Sequence, residues 1–165
     1  MKKRVSLLLL FVLICGAVLF ARVLSVYDDY RNPPLMRLFC DDWSTTVAGQ
    51  AVSWSYDSLL GRRSYTAQLV HPLEQTDRGT ILETYGNSFK IGFDTVQPDM
   101  ILSACRWPVD ALGDPDAEAE LVAVGEPQEV DEGHWIYAVE VEYQGQDHYR
   151  GTAQYVFHVS NTQRY

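Results

Sequence analysis

GHWIYAVEVEYQGQDHYRGTAQYVFHVS, residues 133–160, is the stretch that decides the fold class. Trp135, Tyr137, Val139, Val141 and Tyr143 fall on alternate positions, with Glu140 and Glu142 between them. A period of two places the first set on one face of a strand and the second on the other. Residues 144–148 are polar and contain Gly145, as a turn requires. Alternation then resumes, with Ala153, Tyr155, Phe157 and Val159 opposite Thr152, Gln154 and His158. Two long strands joined by a short polar loop form a hairpin with one aromatic face for a core and one polar face for solvent.

The same signal recurs upstream. Residues 35–40 are strand-like. Residues 50–56 alternate, with Val52, Trp54 and Tyr56 on one face, and residues 60–63 form a turn. Residues 64–70 place Tyr65, Ala67 and Leu69 on one face, and His71-Pro72 stops that strand because proline cannot donate to a ladder. Residues 80–85 are a short β-branched run before the turn signal Gly86-Asn87. Residues 88–94 alternate cleanly around Phe89, Ile91 and Phe93. Residues 100–107 are more continuously apolar, as for a strand covered on both faces. Residues 118–125 read as a strand, although their Ala and Glu also suit a helical turn. The expectation is an all-β, immunoglobulin-like antiparallel β-sandwich of about seven to nine strands. Residues 131–137, entering the penultimate strand, resemble the corner of such folds, where an aromatic packs back on the preceding loop.

The N-terminus follows another rule. Met1-Lys2-Lys3-Arg4 is basic, residues 5–21 carry no charge, and the first carboxylate is Asp28. This is the pattern of an export signal or a membrane anchor. Residues 5–21 as a helix span about 25 Å, short of the roughly 30 Å hydrocarbon core. Extension through Arg22, whose head can snorkel to the headgroups, reaches Tyr27 and makes a span long enough. The candidate cleavage sites at Ser25 and Ala21 are poor, so retention is preferred to cleavage. Acylation of Cys15 is a third reading, but Val12-Leu13-Ile14 lacks the small residue needed before it. Basic residues at the start place the rest of the chain outside the cytoplasm. The expected divisions are 1–4, a cytoplasmic basic terminus; 5–27, a transmembrane or signal helix; 28–34, a Pro-containing stalk; and 35–165, the extracytoplasmic domain.

All 22 acidic residues lie beyond residue 27, with only 9 of the 13 basic residues, a net charge of −13. Binding through nucleic-acid phosphates needs clustered Lys and Arg and is excluded as a function class. The same charge predicts repulsion from an anionic membrane surface. Cys40 and Cys105 are an even pair in an oxidising compartment, so a disulfide is expected. It would close a loop of about 65 residues and stabilise by roughly 4 kcal/mol. Two buried thiols are the alternative.

No catalytic pattern is present: no G-x-S-x-G elbow, no H-E-x-x-H helix and no P-loop. His71, His134, His148 and His158 lack the spacing of metal ligands and read as turn or surface residues. Asp114, Asp116 and Glu118 stand at i, i+2 and i+4, a spacing that can wrap a hard cation. The loop lacks the EF-hand's central glycine and later glutamate, so these three are only weak metal candidates and a solvated acidic loop is the simpler reading. No cofactor is expected. Trp54 and Trp135 read as core; Trp43 and Trp107, nearer strand ends, stand between core and a ligand platform.

Several short stretches carry a resemblance: Pro33-Pro34-Leu35 leading to Cys40, the 52–56 strand with Trp54, His71-Pro72-Leu73, Cys105-Arg106-Trp107 followed by Leu112-Gly113-Asp114, and the closing hairpin. Across residues 33–160 the chain resembles uncharacterised membrane-anchored or secreted proteins of Firmicutes, many from gut clostridia. The resemblance implies export, a sandwich and paired cysteines, and brings no catalytic residue or ligand. The expected function is a non-catalytic binding or interaction module at the cell surface. Its partners would be the bilayer through residues 5–27 and an extracytoplasmic protein or envelope component. The alternatives are an accessory subunit of a membrane complex, or a secreted protein.

Overall fold

The computed structural model describes residues 2–40, 43–75, 80–84, 88–93 and 96–161, with side chains described except at 2–10, 28, 80, 83 and 84. Among the described residues, one α-helix, α1 (Lys2–Asp29), precedes eleven strands. These are β1 (Met36–Cys40), β2 (Trp43–Val47), β3 (Gln50–Ser58), β4 (Gly61–Thr66), β5 (Thr80–Thr84), β6 (Ser88–Phe93), β7 (Met100–Pro108), β8 (Glu120–Leu121), β9 (Pro127–Glu129), β10 (Gly133–Tyr143) and β11 (Tyr149–Asn161). The smaller sheet runs β2-β1-β6-β9 and the larger β4-β3-β11-β10-β7-β8. All pairs are antiparallel except β5, which lies parallel to the second half of β11.

The two sheets close on one core. The smaller contributes Met36, Leu38, Phe89, Ile91 and Phe93; the larger contributes Trp54, alternate residues of β10 from Tyr137 to Tyr143, and Tyr149, Ala153, Tyr155, Phe157 and Val159 of β11. Aromatic rings bridge the layers, with Phe89 edge-on to Tyr137 at 5.2 Å and Phe93 edge-on to Tyr155 at 5.7 Å. Such pairs are favoured beyond their buried area by the ring quadrupole. The hairpin register pairs Tyr137 with Phe157 and Val139 with Tyr155, and the Tyr137 and Phe157 rings stack at 5.1 Å. The period-two reading of residues 133–160 holds along both strands.

Among the described residues, the larger sheet is covered on its other side at one end only. Leu73, Trp107, Ile136 and Ala138 are buried there beneath two 3₁₀ turns, Pro72–Glu74 and Val109–Ala111. The loop after the second turn is bound down: Gly113 N–H donates to the Leu73 carbonyl (2.8 Å) and Trp107 Nε1 to the Ala117 carbonyl (3.2 Å).

Several expectations change. β2 and β9 are strands that alternation did not mark. Residues 118–125 form only the two-residue β8, and β4 ends at Thr66. Gly86 and Asn87 lie outside the described residues. β11 is no edge: β10 flanks it on one side, and β3 and then β5 on the other. In the constant-type immunoglobulin order the last strand is an edge, so the likeness stops at a two-sheet sandwich. The start of β7 is not covered on both faces, because Met100, Ile101 and Leu102 are exposed.

The expected Cys40–Cys105 disulfide is absent, and neither cysteine is in a disulfide. Cys40 packs against the core between the sheets, whereas Cys105 packs against the cluster on the far side of the larger sheet. A strand therefore stands between the two thiols. The Cys105 Sγ lies 3.9 Å from the Ala138 carbonyl, and burial pushes its pKa up.

The sequence of residues 5–27 suits a transmembrane or signal helix. Among the described residues, no helix is long and apolar enough to cross a membrane. The described side chains of α1 begin at Phe11, and residues 11–27 cover about 25 Å with Arg22 among them. The apolar side chains at 5–10 lie outside the described ones.

Arg106 ties the rim of the larger sheet together. Its guanidinium donates to Glu120 (2.8 Å), Asp131 (3.0 Å), the Glu129 carbonyl (3.4 Å) and the Tyr137 hydroxyl (3.5 Å), and lies 4.3 Å from the centre of the Trp135 ring. The arginine side chain is 15% exposed, its carboxylate partners 54% and 70%. Each ion pair alone is therefore weak, and the shared cation holds the group. Arg106→Ala is expected to cost about 1–3 kcal/mol, and Glu120→Gln less than about 1 kcal/mol. Urea unfolding of both variants measures the difference; equal losses would show that Arg106 is not the hub.

Candidate functional site

Two features of the larger sheet stand out once the core is accounted for. The first is an aromatic collar where α1 meets the sandwich. Trp54 stacks on Tyr149 (5.2 Å between ring centres) and meets Tyr143 edge-on (5.8 Å). Tyr30, just past the end of α1, packs against the same core and stacks on His148 at 4.7 Å. Three aromatic donors then take backbone carbonyls beyond the helix. Trp54 Nε1 donates to Tyr30 (3.0 Å), the Tyr65 hydroxyl to Arg31 (3.2 Å) and the Tyr155 hydroxyl to Pro34 (2.6 Å). Residues 28–34, expected as a spacer, are bound to the domain at these points.

The Tyr155 hydroxyl also lies 3.1 Å from that of Tyr143. A phenol has one proton to donate. Since Tyr155 gives its proton to Pro34, Tyr143 donates to Tyr155. Burial raises both pKa values, that of Tyr143 to about 12, with the neighbouring hydroxyl reinforcing the rise at Tyr155. Both hydroxyls are neutral at physiological pH and serve as structural bonds rather than as acid or base.

The second feature is an open trough of about 620 Å³ on the uncovered end of the larger sheet. Strand register builds it. Thr66, Ser53, Thr152 and Glu142 stand side by side across β4, β3, β11 and β10, and Ser64, Ser55 and Arg150 form the next row. These are the outward positions of strands whose inward positions carry Trp54, Ala153 and Tyr143. A glycine is needed in its floor, because Gly151 adopts φ +142° and a Cβ there would run into the Ser53 carbonyl. Asp99 fixes one end, its carboxylate accepting from the backbone N–H of Gln144 (2.7 Å) and Gly145 (3.0 Å), which holds its pKa down. Among the described residues, Arg150 and Glu142 form no salt bridge and no histidine lines the trough. Among the described residues, no hydrogen bond joins Ser53, Ser55 or Ser64 to a base. What the trough offers is hydroxyl donors and acceptors, one cation and one anion.

The residues singled out from sequence are scattered. Asp114 is engaged locally, accepting from the Asp116 N–H at 3.2 Å, and the loop of Asp114, Asp116 and Glu118 serves as cover for Trp107. Among the described residues, no three His, Cys, Asp or Glu side chains are placed to hold a metal ion. His71 caps a 3₁₀ turn through Nδ1, which accepts from the Leu73 N–H, and stands edge-on to Trp107. His148 lies 3.5 Å from Asp57. His134 and His158 share a pocket of about 270 Å³ with Ile81 and Leu112. Trp54 and Trp107 are core, Trp135 is half-buried over Arg106, and Trp43 is exposed. Sequence reading missed the trough, because a serine or threonine on the polar face of a strand gives no signal beyond polarity.

The tyrosine pair predicts an alkaline limit. A tyrosine whose pKa is higher in the folded chain leaves stability unchanged below about pH 10, where both states are protonated. Stability then falls as pH rises from about 10 through about 12, by up to about 1.4 kcal/mol per pH unit for each such group. Denaturant midpoints measured from neutral pH to about pH 12 should be flat and then drop, and the drop should be smaller in Tyr143→Phe. A flat profile to the top of that range would contradict buried, neutral hydroxyls.

No protein-family model, no curated protein and no solved structure matches the chain.

Proposed function

We propose that this chain is a membrane-anchored extracytoplasmic binding module, without catalytic activity, whose trough takes a short zwitterionic peptide. The observation that carries the reading is that Arg150 and Glu142, diagonal neighbours on β11 and β10, stand at one side of a floor of hydroxyls from β3 and β4, and among the described residues neither forms a salt bridge. Arg150 suits a carboxylate, Glu142 an ammonium, and the serine and threonine hydroxyls beside them suit the peptide's amides. The open, preformed sheet surface fits reversible binding.

Anchoring is supported by α1. Phe11, Leu13, Ile14, Val18, Leu19 and Phe20 are each more than half exposed around the helix, and such a surface is rare on a protein facing water. The basic start and the uncharged run of residues 5–21 support the same orientation, with the domain outside.

A second reading, an accessory subunit, draws on the edge of β7. Among the described residues β8 pairs only with Cys105 and Arg106, which leaves the stretch with exposed Met100, Ile101 and Leu102 open on that side. Such an edge accepts an added strand from a partner. Crosslinks from this stretch to another membrane protein would favour it over the peptide reading.

Amide chemical shifts recorded while short peptides of varied sequence are titrated in test the main proposal. Ser53, Ser55, Ser64, Arg150 and Glu142 are expected to shift together. Arg150→Glu should weaken binding about tenfold or more, the loss of one charge-assisted hydrogen bond. A panel that moves none of these signals would reject the trough as a peptide site.

A further inference from the structure

We infer that the turn between β3 and β4 is a second membrane contact, with Leu59 and Leu60 entering the top of the lipid and Arg31 and Arg63 meeting anionic headgroups. This rests on α1 being the anchor. The turn is unusual in composition. Ser58 pairs with Gly61, so Leu59 and Leu60 alone make the loop. Two-residue hairpin loops favour Gly, Asn and Asp. Here they are two leucines, 43% and 86% exposed. Their conformation is held without their side chains. Gly61 takes φ +105°, the Ser58 hydroxyl donates to the Gly61 carbonyl (2.6 Å), and the Leu60 N–H donates to Ser58 Oγ (3.3 Å). Leu60 in particular leaves most of its apolar surface open to something outside the domain.

Position supplies the occupant. A recess of about 440 Å³ is lined on one side by Leu24, Tyr27 and Arg31 and on the other by Leu59, Leu60 and Arg63. The tip of the hairpin therefore stands beside Leu24, about 7 Å back along α1 from its last residue. That is the level at which Arg22 and Tyr27 belong in the headgroup zone if α1 is the anchor. A turn of two leucines at the same depth meets lipid rather than water.

Charge agrees. The domain is acidic overall, which predicts repulsion from an anionic surface, yet among the described residues no carboxylate lines this recess and two arginines do. Arg62 is partly occupied by Asp57 at 3.5 Å, while among the described residues Arg63 and Arg31 form no salt bridge and line the recess. Basic side chains at this height are attracted by anionic headgroups within a Debye length. The overall repulsion then acts on the far parts of the domain and helps to hold it upright on two contacts.

The full chain in nanodiscs tests this. Discs of phosphatidylcholine alone and of phosphatidylcholine mixed with phosphatidylglycerol would carry a paramagnetic label near the top of the lipid chains, with amide signals read residue by residue. Strong loss of signal is expected at residues 11–20 of the helix and at Leu59, Leu60 and Gly61, with Ser53 and Thr66 retained. Loss at the turn should be greater with phosphatidylglycerol, and reduced by Arg63→Glu while the helix is unchanged. If the helix signals are lost and the turn signals stay sharp, the second contact is wrong and the anchor stands. If the helix signals also stay sharp, the anchor fails and the second contact with it. Equal loss at the turn in both lipids would overturn the role of anionic headgroups.

Discussion

A tyrosine hydroxyl taken out of water must find a partner, and in this protein that requirement joins the sandwich to the chain that enters it. Tyr155 lies in the middle of the last strand with its ring wholly buried, and its hydroxyl reaches the Pro34 carbonyl. Tyr143 then donates to Tyr155, and Trp54, beside Tyr143, donates to Tyr30. An unpaired polar group in such a place costs about 1–3 kcal/mol. The segment after α1 is therefore docked by the core's own polar atoms. It takes the place of a flexible tether, and the direction in which the helix leaves the domain follows from core packing.

That docking sets the rest of the geometry. With the helix end on the aromatic cluster, the β3–β4 turn lies alongside α1, and the trough opens on the opposite face of the same strands. The larger sheet thus has an inner face given to the core and an outer face divided in two. One half lies beneath the 3₁₀ turns around Trp107, and the other is lined by hydroxyls, Arg150 and Glu142. A loop that resembled a cation site, around Asp114, has its role in covering the first half. Arg106 performs a comparable task at the rim, where a single cation gathers carboxylates from β8 and from the loop before β10.

Much of the core was legible in the sequence. The alternation in residues 88–94 and 133–160 named Phe89, Ile91, Phe93, Tyr137, Tyr155 and Phe157 as inward, and all are buried. The candidate site was not legible. Ser53, Ser64 and Arg150 lie on three different strands, and only register brings them into neighbouring rows. Residues 100–107 misled because a continuous apolar run resembles a strand covered on both sides, whereas Met100 to Leu102 are exposed at an edge. Cys40 and Cys105 misled because the parity of cysteines in a chain says nothing about which side of a sheet each one faces.

What the sequence alone determined is the β-rich character of the domain, the faces of its longest strands, the acidity beyond residue 27 and the apolar nature of the N-terminal helix. Each is a local property, set by the period of side-chain direction or by composition. What only the tertiary structure decided is the order of strands, the interior position of β11, the separation of the two thiols, the docking of Tyr30 and the assembly of the trough. These depend on which strands pair, and backbone hydrogen bonding is the same for every residue but proline. Pairing is settled by the fit of distant side chains in one core.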